Sequence, residues 1–216
     1  MNPLRRPFVS CGMVALLGCL SNQVHPLFSV FFLASCLVLP WLGKNADHGR
    51  LMERLVLRRD GWLLSLTLAC LYALGPFLFL LAVMQWFFQA LFLNPGLEIF
   101  IQLIGKGMIA FLPIAVAEEF FFRGYLQETV FFSRWGDQRI GPFRYRNLAA
   151  SGLFALTHVL SLLSPIKVFT FVAGMILGRV VIQSRSNIWP AVALHAFANA
   201  ANEWLLVLYR MNLPWI

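Results

Sequence analysis

The sequence predicts an all-α fold, a polytopic membrane helix bundle of about seven transmembrane helices that forms one domain over residues 1–216. Composition supplies two of the reasons, because 60% of the 216 residues are hydrophobic and only 12% are charged. In an average soluble domain about a quarter of the residues are charged. The third reason is that apolar stretches recur along the chain. Since a transmembrane helix takes about 20 residues, little of the chain remains for a domain outside the membrane.

Apolar stretches of helical length account for the predicted helices in order. They cover residues 7–20, 27–42, 61–93, 97–132, 148–163, 168–182 and 188–209. The first two are short, and Pro26 between them is also compatible with one kinked segment, because proline need not end a membrane helix. In the sixth stretch Gly174 and Gly178 are four residues apart, a spacing that suits close helix packing in lipid.

The distribution of loop charge favours two helices at the N-terminal end. With two helices, nearly all the cationic loop residues fall on one side of the membrane, and the opposite turns carry little positive charge beyond Lys167. The residues on the charged side are Arg5, Arg6, Lys44, Arg50, Arg54, Arg58, Arg59, Arg134, Arg139, Arg144, Arg146 and Arg185. Because positive loops tend to remain cytoplasmic, we expect the N-terminus inside and the C-terminus outside. The net charge of +8 therefore indicates cytoplasmic loops and no nucleic-acid partner.

Two glutamates and an arginine interrupt the fourth apolar stretch. An ionisable residue inside a membrane helix costs about 2.5 to 3.5 kcal/mol on insertion scales, so it marks a functional candidate. Glu119 and Arg123 are four residues apart and share a helix face, where they can pair. Glu118 points about 100° away from that face, which leaves it free to lose and regain a proton. The alternative is that both glutamates only bind arginines between helices.

Polar residues also interrupt the fifth and seventh stretches. Taken alone, His158 is more typical of a hydrogen bond between helices than of a catalyst. His195 and Asn199 share a helix face and are equally compatible with packing and with function. Together with the glutamates, however, these side chains supply what amide hydrolysis requires, namely a base for water and donors for the developing oxyanion.

Three short motifs resemble those of a known family. E-E-x-x-x-R begins at Glu118, F-x-x-x-H runs from Phe154 to His158, and H-x-x-x-N begins at His195. In this order they are similar to the motifs of the CPBP family, which comprises the CAAX prenyl proteases and bacteriocin-processing enzymes and is also called Abi. The resemblance covers residues 105–209, the predicted catalytic helical core. Residues 1–104 are predicted to add accessory transmembrane helices.

The resemblance implies a glutamate-dependent intramembrane endopeptidase whose motif residues converge on a cavity. Carried over by position, Glu118 would be the general base and His158 its partner in orienting water. His195 and Asn199 would be the oxyanion donors.

The resemblance also makes Glu119 and Arg123 a supporting pair. From the residues we expect neither a cofactor nor a metal, because only two histidines lie in the motifs, H-E-x-x-H is absent and asparagine is a poor zinc ligand. A zinc site made of His158, His195 and Glu118 remains an alternative.

The expected partners are the lipid bilayer and a membrane-associated protein or peptide that is cleaved near its C-terminus. The expected location is the bacterial inner membrane, as a multi-pass protein. The chain is shorter than the eukaryotic prenyl proteases, so a sorting tail or a leader peptide suits it better than a prenylated CaaX substrate. A non-catalytic scaffold or immunity-type member of the same family is the main alternative. A small transporter is disfavoured, because the buried charges cluster in the second half of the chain and no paired repeats are seen.

Overall fold

The computed structural model describes residues 7–25, 27–42, 48–55, 67, 71, 97–163 and 165–212. The described helices are α1 (Pro7–Gln23), α2 (Phe28–Leu42), α3 (His48–Leu55), α4 (Leu97–Glu119), a π-helix (Phe120–Val130), α5 (Tyr145–Leu162), a 3₁₀ helix (Pro165–Phe169), α6 (Thr170–Gln183) and α7 (Trp189–Asn212). Two short strands, β1 (Arg139–Ile140) and β2 (Phe143–Arg144), pair in an antiparallel hairpin before α5. The predicted all-α class is thus confirmed for the described residues.

Six of the seven predicted apolar stretches coincide with described helices. The remaining stretch, residues 61–93, lies outside the described residues apart from Thr67 and Leu71. Within the ranges that the structure describes, no helix combines the length and the apolarity needed to cross a lipid bilayer.

Two separate helices form the N-terminal end, as the loop charges predicted. α1 ends at Gln23 and α2 begins at Phe28, whose backbone N–H donates to the carbonyl of His25 at 3.0 Å. The hydroxyls of Ser21 and Ser29 form a hydrogen bond across the turn. The turn therefore folds α2 back beside α1, with which it packs.

The π-helix lies at the centre of the described bundle. It continues α4 without a break and contacts α2, α3, α5 and α6. Its residues from Phe120 to Glu128 are all buried, and apolar side chains such as Leu39 of α2, Leu51 of α3 and Val180 of α6 belong to the same core. Burial of a phenylalanine side chain contributes about 1.5–3 kcal/mol, so the three consecutive phenylalanines that open the π-helix anchor it strongly.

Two glycines let α5 and the π-helix come close to α6, in line with their predicted packing role. A Cβ atom on Gly174 would lie 3.1 Å from the Cβ of Ser151. A Cβ on Gly178 would overlap Oδ1 of Asn147 and Oε1 of Gln127. Because no side chain separates the helices here, Asn147 donates from Nδ2 to a backbone carbonyl of α6 at 2.9 Å.

Two elements lie outside the predicted apolar stretches. Helix α3 is short and falls in the charged loop, and its Leu51 is fully buried in the core. The hairpin β1–β2 turns at Gly141, whose φ of 55° is left-handed and suits glycine, with Pro142 next in the chain. Apolar periodicity detects neither element, because one is too short and the other is exposed or half-buried.

Candidate active site

The two glutamates that end α4 lie between histidines of two other helices. Glu118 is 5% exposed and Glu119 is fully buried, while His195 of α7 is 6% exposed. His158 of α5 is half-buried. Arg123, one turn further along the π-helix, is also fully buried. The fold therefore brings five of the six predicted site residues together from separate parts of the sequence.

Glu118 faces both histidines. Its Oε2 atom lies 3.6 Å from Nε2 of His195 and 3.9 Å from Nε2 of His158. Both distances exceed the usual hydrogen-bond length, and Oε2 accepts no hydrogen bond from the residues the structure describes. A buried carboxylate oxygen without a donor is costly and calls for an explanation, of which a catalytic role is one.

The orientation of His158 fixes which ring nitrogen faces Glu118. Nδ1 of His158 lies 2.9 Å from the backbone carbonyl of Phe154, one turn earlier. A carbonyl oxygen only accepts, so Nδ1 carries the proton and donates it. In the neutral ring Nε2 then has the free lone pair, and this is the atom directed at Glu118.

Glu119 connects Arg123 with His195. Its Oε1 atom lies 3.2 Å from Nη1 of Arg123, so the predicted pairing along the helix is confirmed. The same oxygen lies 2.8 Å from Nδ1 of His195, a contact that the sequence did not predict. An ionised carboxylate only accepts, so Nδ1 of His195 donates to Glu119 and Nε2 remains directed at Glu118.

Phe154 holds several of these side chains in place, although the sequence identified it only as part of a motif. The guanidinium carbon of Arg123 lies 4.2 Å from the centre of its ring, within cation–π range. The ring centroid is 4.3 Å from that of His158 and 5.9 Å from that of His195, which it meets edge-on. One aromatic ring therefore contacts three site residues from three helices.

Asn199 is the predicted site residue that the geometry does not connect to the others. It lies one turn after His195 on α7 and is half-buried. Among the described hydrogen bonds and ion pairs of the cluster, none involves Asn199. Its assignment as an oxyanion donor stays a prediction.

A second buried polar cluster, which the sequence did not reveal, fixes the other end of the π-helix. Oε2 of Glu128 accepts hydrogen bonds from Nη1 of Arg146 at 3.0 Å and from the hydroxyl of Ser186 at 2.6 Å. Gln127 donates from Nε2 to the carbonyl of Gly178 at 3.0 Å. Arg146 was predicted as a loop charge, but it is only 4% exposed. Because Arg146 lies beside a loop, the sequence did not indicate that it pairs with a buried carboxylate.

The arrangement of ligand atoms bears on the zinc alternative. The described part of the chain holds no group of three or more His, Cys, Asp or Glu side chains placed to hold a metal ion. Nδ1 of each site histidine is already engaged, by the Phe154 carbonyl in His158 and by Glu119 in His195. The Nε2 atoms of both histidines are directed at Oε2 of Glu118, at 3.9 and 3.6 Å.

The helices that carry this cluster match a known family. Residues 100–201 match the family model described as type II CAAX prenyl endopeptidase Rce1-like. No curated protein and no solved structure matches the chain significantly. The matched range includes every predicted site residue, from Glu118 to Asn199. Residues 100–201 of the chain are therefore similar to the Rce1-like CAAX endopeptidase family, a family of membrane peptidases.

Proposed function

We propose that this protein is a glutamate-dependent intramembrane endopeptidase in which Glu118 is the general base. The observation that carries the proposal is the position of its Oε2 atom, which is buried, accepts no hydrogen bond from described residues and faces Nε2 of both His158 and His195. A base must lie within reach of the proton that it abstracts, either directly or through one water. Oε2 lies 3.6 Å from Nε2 of His195 and 3.9 Å from Nε2 of His158, and small shifts of these side chains would let one water molecule bind between them.

The proposed reaction begins with a water held by Glu118 and His158. Glu118 takes one proton of this water while Nε2 of His158 accepts a hydrogen bond from the other, and the water oxygen attacks the peptide carbonyl. The carbonyl oxygen becomes an oxyanion in the tetrahedral intermediate. Glu118 then returns its proton to the leaving amine as the C–N bond breaks, so the enzyme ends in its starting protonation state.

The proposed oxyanion donors are Nε2 of His195 and the side-chain amide of Asn199. Because Nδ1 of His195 already donates to Glu119, a second donor at Nε2 requires the doubly protonated ring. The carboxylate of Glu119 supports this cation, and Arg123 binds the same carboxylate oxygen at 3.2 Å. Glu119 and Arg123 therefore act through His195 in this proposal.

We further propose a multi-pass protein of the bacterial inner membrane with the N-terminus inside. Residues 105–209 would form the catalytic core and residues 1–104 would supply accessory helices. A site buried among α4, α5 and α7 admits only an extended segment of substrate. The proposed substrate is accordingly a membrane-associated protein or peptide cleaved near its C-terminus, at a sorting tail, a CAAX-like end or a leader peptide.

The test is single-turnover cleavage of a panel of membrane-tethered C-terminal peptides by the full chain, purified and reconstituted in bilayers. We expect cleavage of at least one peptide, unchanged by a zinc chelator. His158→Ala should lower the rate by about 10²-fold or more, because positioned acid–base groups contribute about 10²–10⁴-fold. His25→Ala is the matched control, since His25 is exposed in the turn between α1 and α2.

Two outcomes would contradict the proposal. Loss of cleavage on chelation, restored by added zinc, would make Glu118, His158 and His195 metal ligands. If the wild type cleaved none of the peptides, and a variant lacking the Glu118 carboxylate still complemented a deletion of the gene in cells, the non-catalytic scaffold would be the better description.

A further inference from the structure

Three segments of the chain meet at one end of the bundle. They are residues 131–144, the start of α5 and the turn after α6. Glu128 joins two of them, because it binds both Arg146 of α5 and Ser186 of the turn. The guanidinium of Arg179 on α6 lies 6.0 Å from the ring of Phe143 in the hairpin. The exposed side chains of these segments therefore form one surface.

This surface carries positive charge that its own acids do not neutralise. Arg144 binds Asp137, and Arg146 binds Glu128. The other three arginines of the three segments are exposed and form no ion pair with a described residue. We call them the arginine rim: Arg134, Arg139 and Arg185.

Large apolar side chains are exposed among the arginines. Phe132, Trp135 and Ile140 are 51%, 53% and 56% exposed. The ring of Trp135 stacks on that of Tyr145 at 5.3 Å with an angle of 14° between the planes. The ring of Phe132 lies 4.8 Å from the guanidinium carbon of Arg146. Both aromatic rings are thus held in place by neighbours although half of each is exposed.

We propose that the arginine rim binds the anionic phosphodiester headgroups of the bilayer in which the protein resides. Arginines match phosphate oxygens in charge and hydrogen-bond geometry, and tryptophan beside cationic residues is typical of the membrane–water interface. The charge of the rim favours an anionic lipid over a zwitterionic one. The inference rests on the proposed insertion of this protein in a membrane, and it does not depend on peptide cleavage.

The test uses the full chain in nanodiscs that contain phosphatidylcholine and phosphatidylglycerol in one fixed ratio. Two preparations are compared, in which either phosphatidylcholine or phosphatidylglycerol carries bromine, a quencher of tryptophan fluorescence. The overall mole fraction of brominated lipid is the same in both. The signal of Trp135 is the difference between the wild type and Trp135→Phe. We expect stronger quenching by brominated phosphatidylglycerol, with a local enrichment that falls by a factor of about five for each rim arginine changed to glutamine.

The hairpin offers a matched pair of variants. Arg139 and Arg144 face each other across β1 and β2, but only Arg144 binds an acid. Arg139→Gln should reduce the preference for phosphatidylglycerol, and Arg144→Gln should reduce it less. Equal quenching by the two brominated lipids would overturn the proposal, as would an unchanged preference in the variant that lacks all three rim arginines. Rim-dependent binding of a soluble poly-glutamate peptide, without enrichment of phosphatidylglycerol, would assign the surface to an acidic protein instead.

Discussion

Replacing Glu118 with glutamine is expected to lower the single-turnover rate of peptide cleavage by about 10²–10⁴-fold, the usual contribution of a general base. The amide keeps the size of the carboxylate but cannot take a proton from water. The change should leave the stability of the fold nearly unaltered, because Oε2 of Glu118 accepts no hydrogen bond from the described residues. The measurements are the cleavage rate in bilayers and the thermal unfolding of the same preparation.

The neighbouring glutamate provides the matched comparison. Glu119→Gln removes the charge that binds both Arg123 and His195, at 3.2 and 2.8 Å. Arg123 is fully buried, and leaving a buried charge without its partner costs about 3–5 kcal/mol. We therefore expect Glu119→Gln to destabilise the protein strongly, whereas Glu118→Gln loses rate and keeps its stability.

Either of two results would refute this division of roles. One is near wild-type cleavage by Glu118→Gln, which would show that another group activates the water. The other is an equal loss of stability in the two variants, which would show that Glu118 is as much a structural ligand as Glu119.

The contacts that are local in sequence were the predictable part of this site. The pairing of Glu119 with Arg123 follows from four-residue spacing on a helix. The bond between Glu119 and His195 joins residues 76 positions apart, so only the packing of α4 against α7 brings them together. The ion pair of Arg146 could not be predicted for the same reason, because its partner Glu128 lies on a different helix. A charge next to a loop looks solvent-exposed until that partner is known.

The lengths of the apolar stretches predicted the positions of the helices well, but they did not predict the local backbone geometry. The stretch predicted at residues 148–163 is the helix Tyr145–Leu162, and the one at 97–132 is helical to Val130. The second part of that stretch is a π-helix. A π-helix differs from an α-helix by one residue in its hydrogen-bond pattern, and a run of apolar residues satisfies both patterns. The buried contacts of Gln127 and Glu128 with α5 and α6 are therefore visible only in the structure.

Gly178→Ala is expected to destabilise the protein by about 1–3 kcal/mol or more, the usual cost of overpacking a core. The added methyl would overlap Oδ1 of Asn147 and Oε1 of Gln127. Relief of that overlap would have to displace the amide of Gln127 from the Gly178 carbonyl, a bond of 3.0 Å. Buried polar groups left without partners add about 1–3 kcal/mol. Thermal unfolding in detergent micelles measures the effect.

Gly152→Ala is the control that separates packing from helix propensity. Gly152 lies within α5, and a Cβ there would meet no atom within 4 Å. Alanine in a helix interior is favoured over glycine by about 0.5–1 kcal/mol, so this variant should be slightly more stable than the wild type. Equal effects of the two substitutions would contradict the packing role of Gly178.

A double-mutant cycle tests whether the steric conflict of Gly178→Ala involves Gln127. Gln127→Ala removes one of the two side chains that the new methyl would meet. Combining it with Gly178→Ala should therefore cost less than the sum of the two single changes, by about 0.5–3 kcal/mol for residues in contact. Strict additivity of the two changes in unfolding free energy would mean that the new methyl conflicts with Asn147 alone. Because Arg123 also approaches this helix, with Nη2 at 3.5 Å from the Gly174 carbonyl, a shift of α6 would be transmitted to the Glu119 ion pair and thus to the proposed active site.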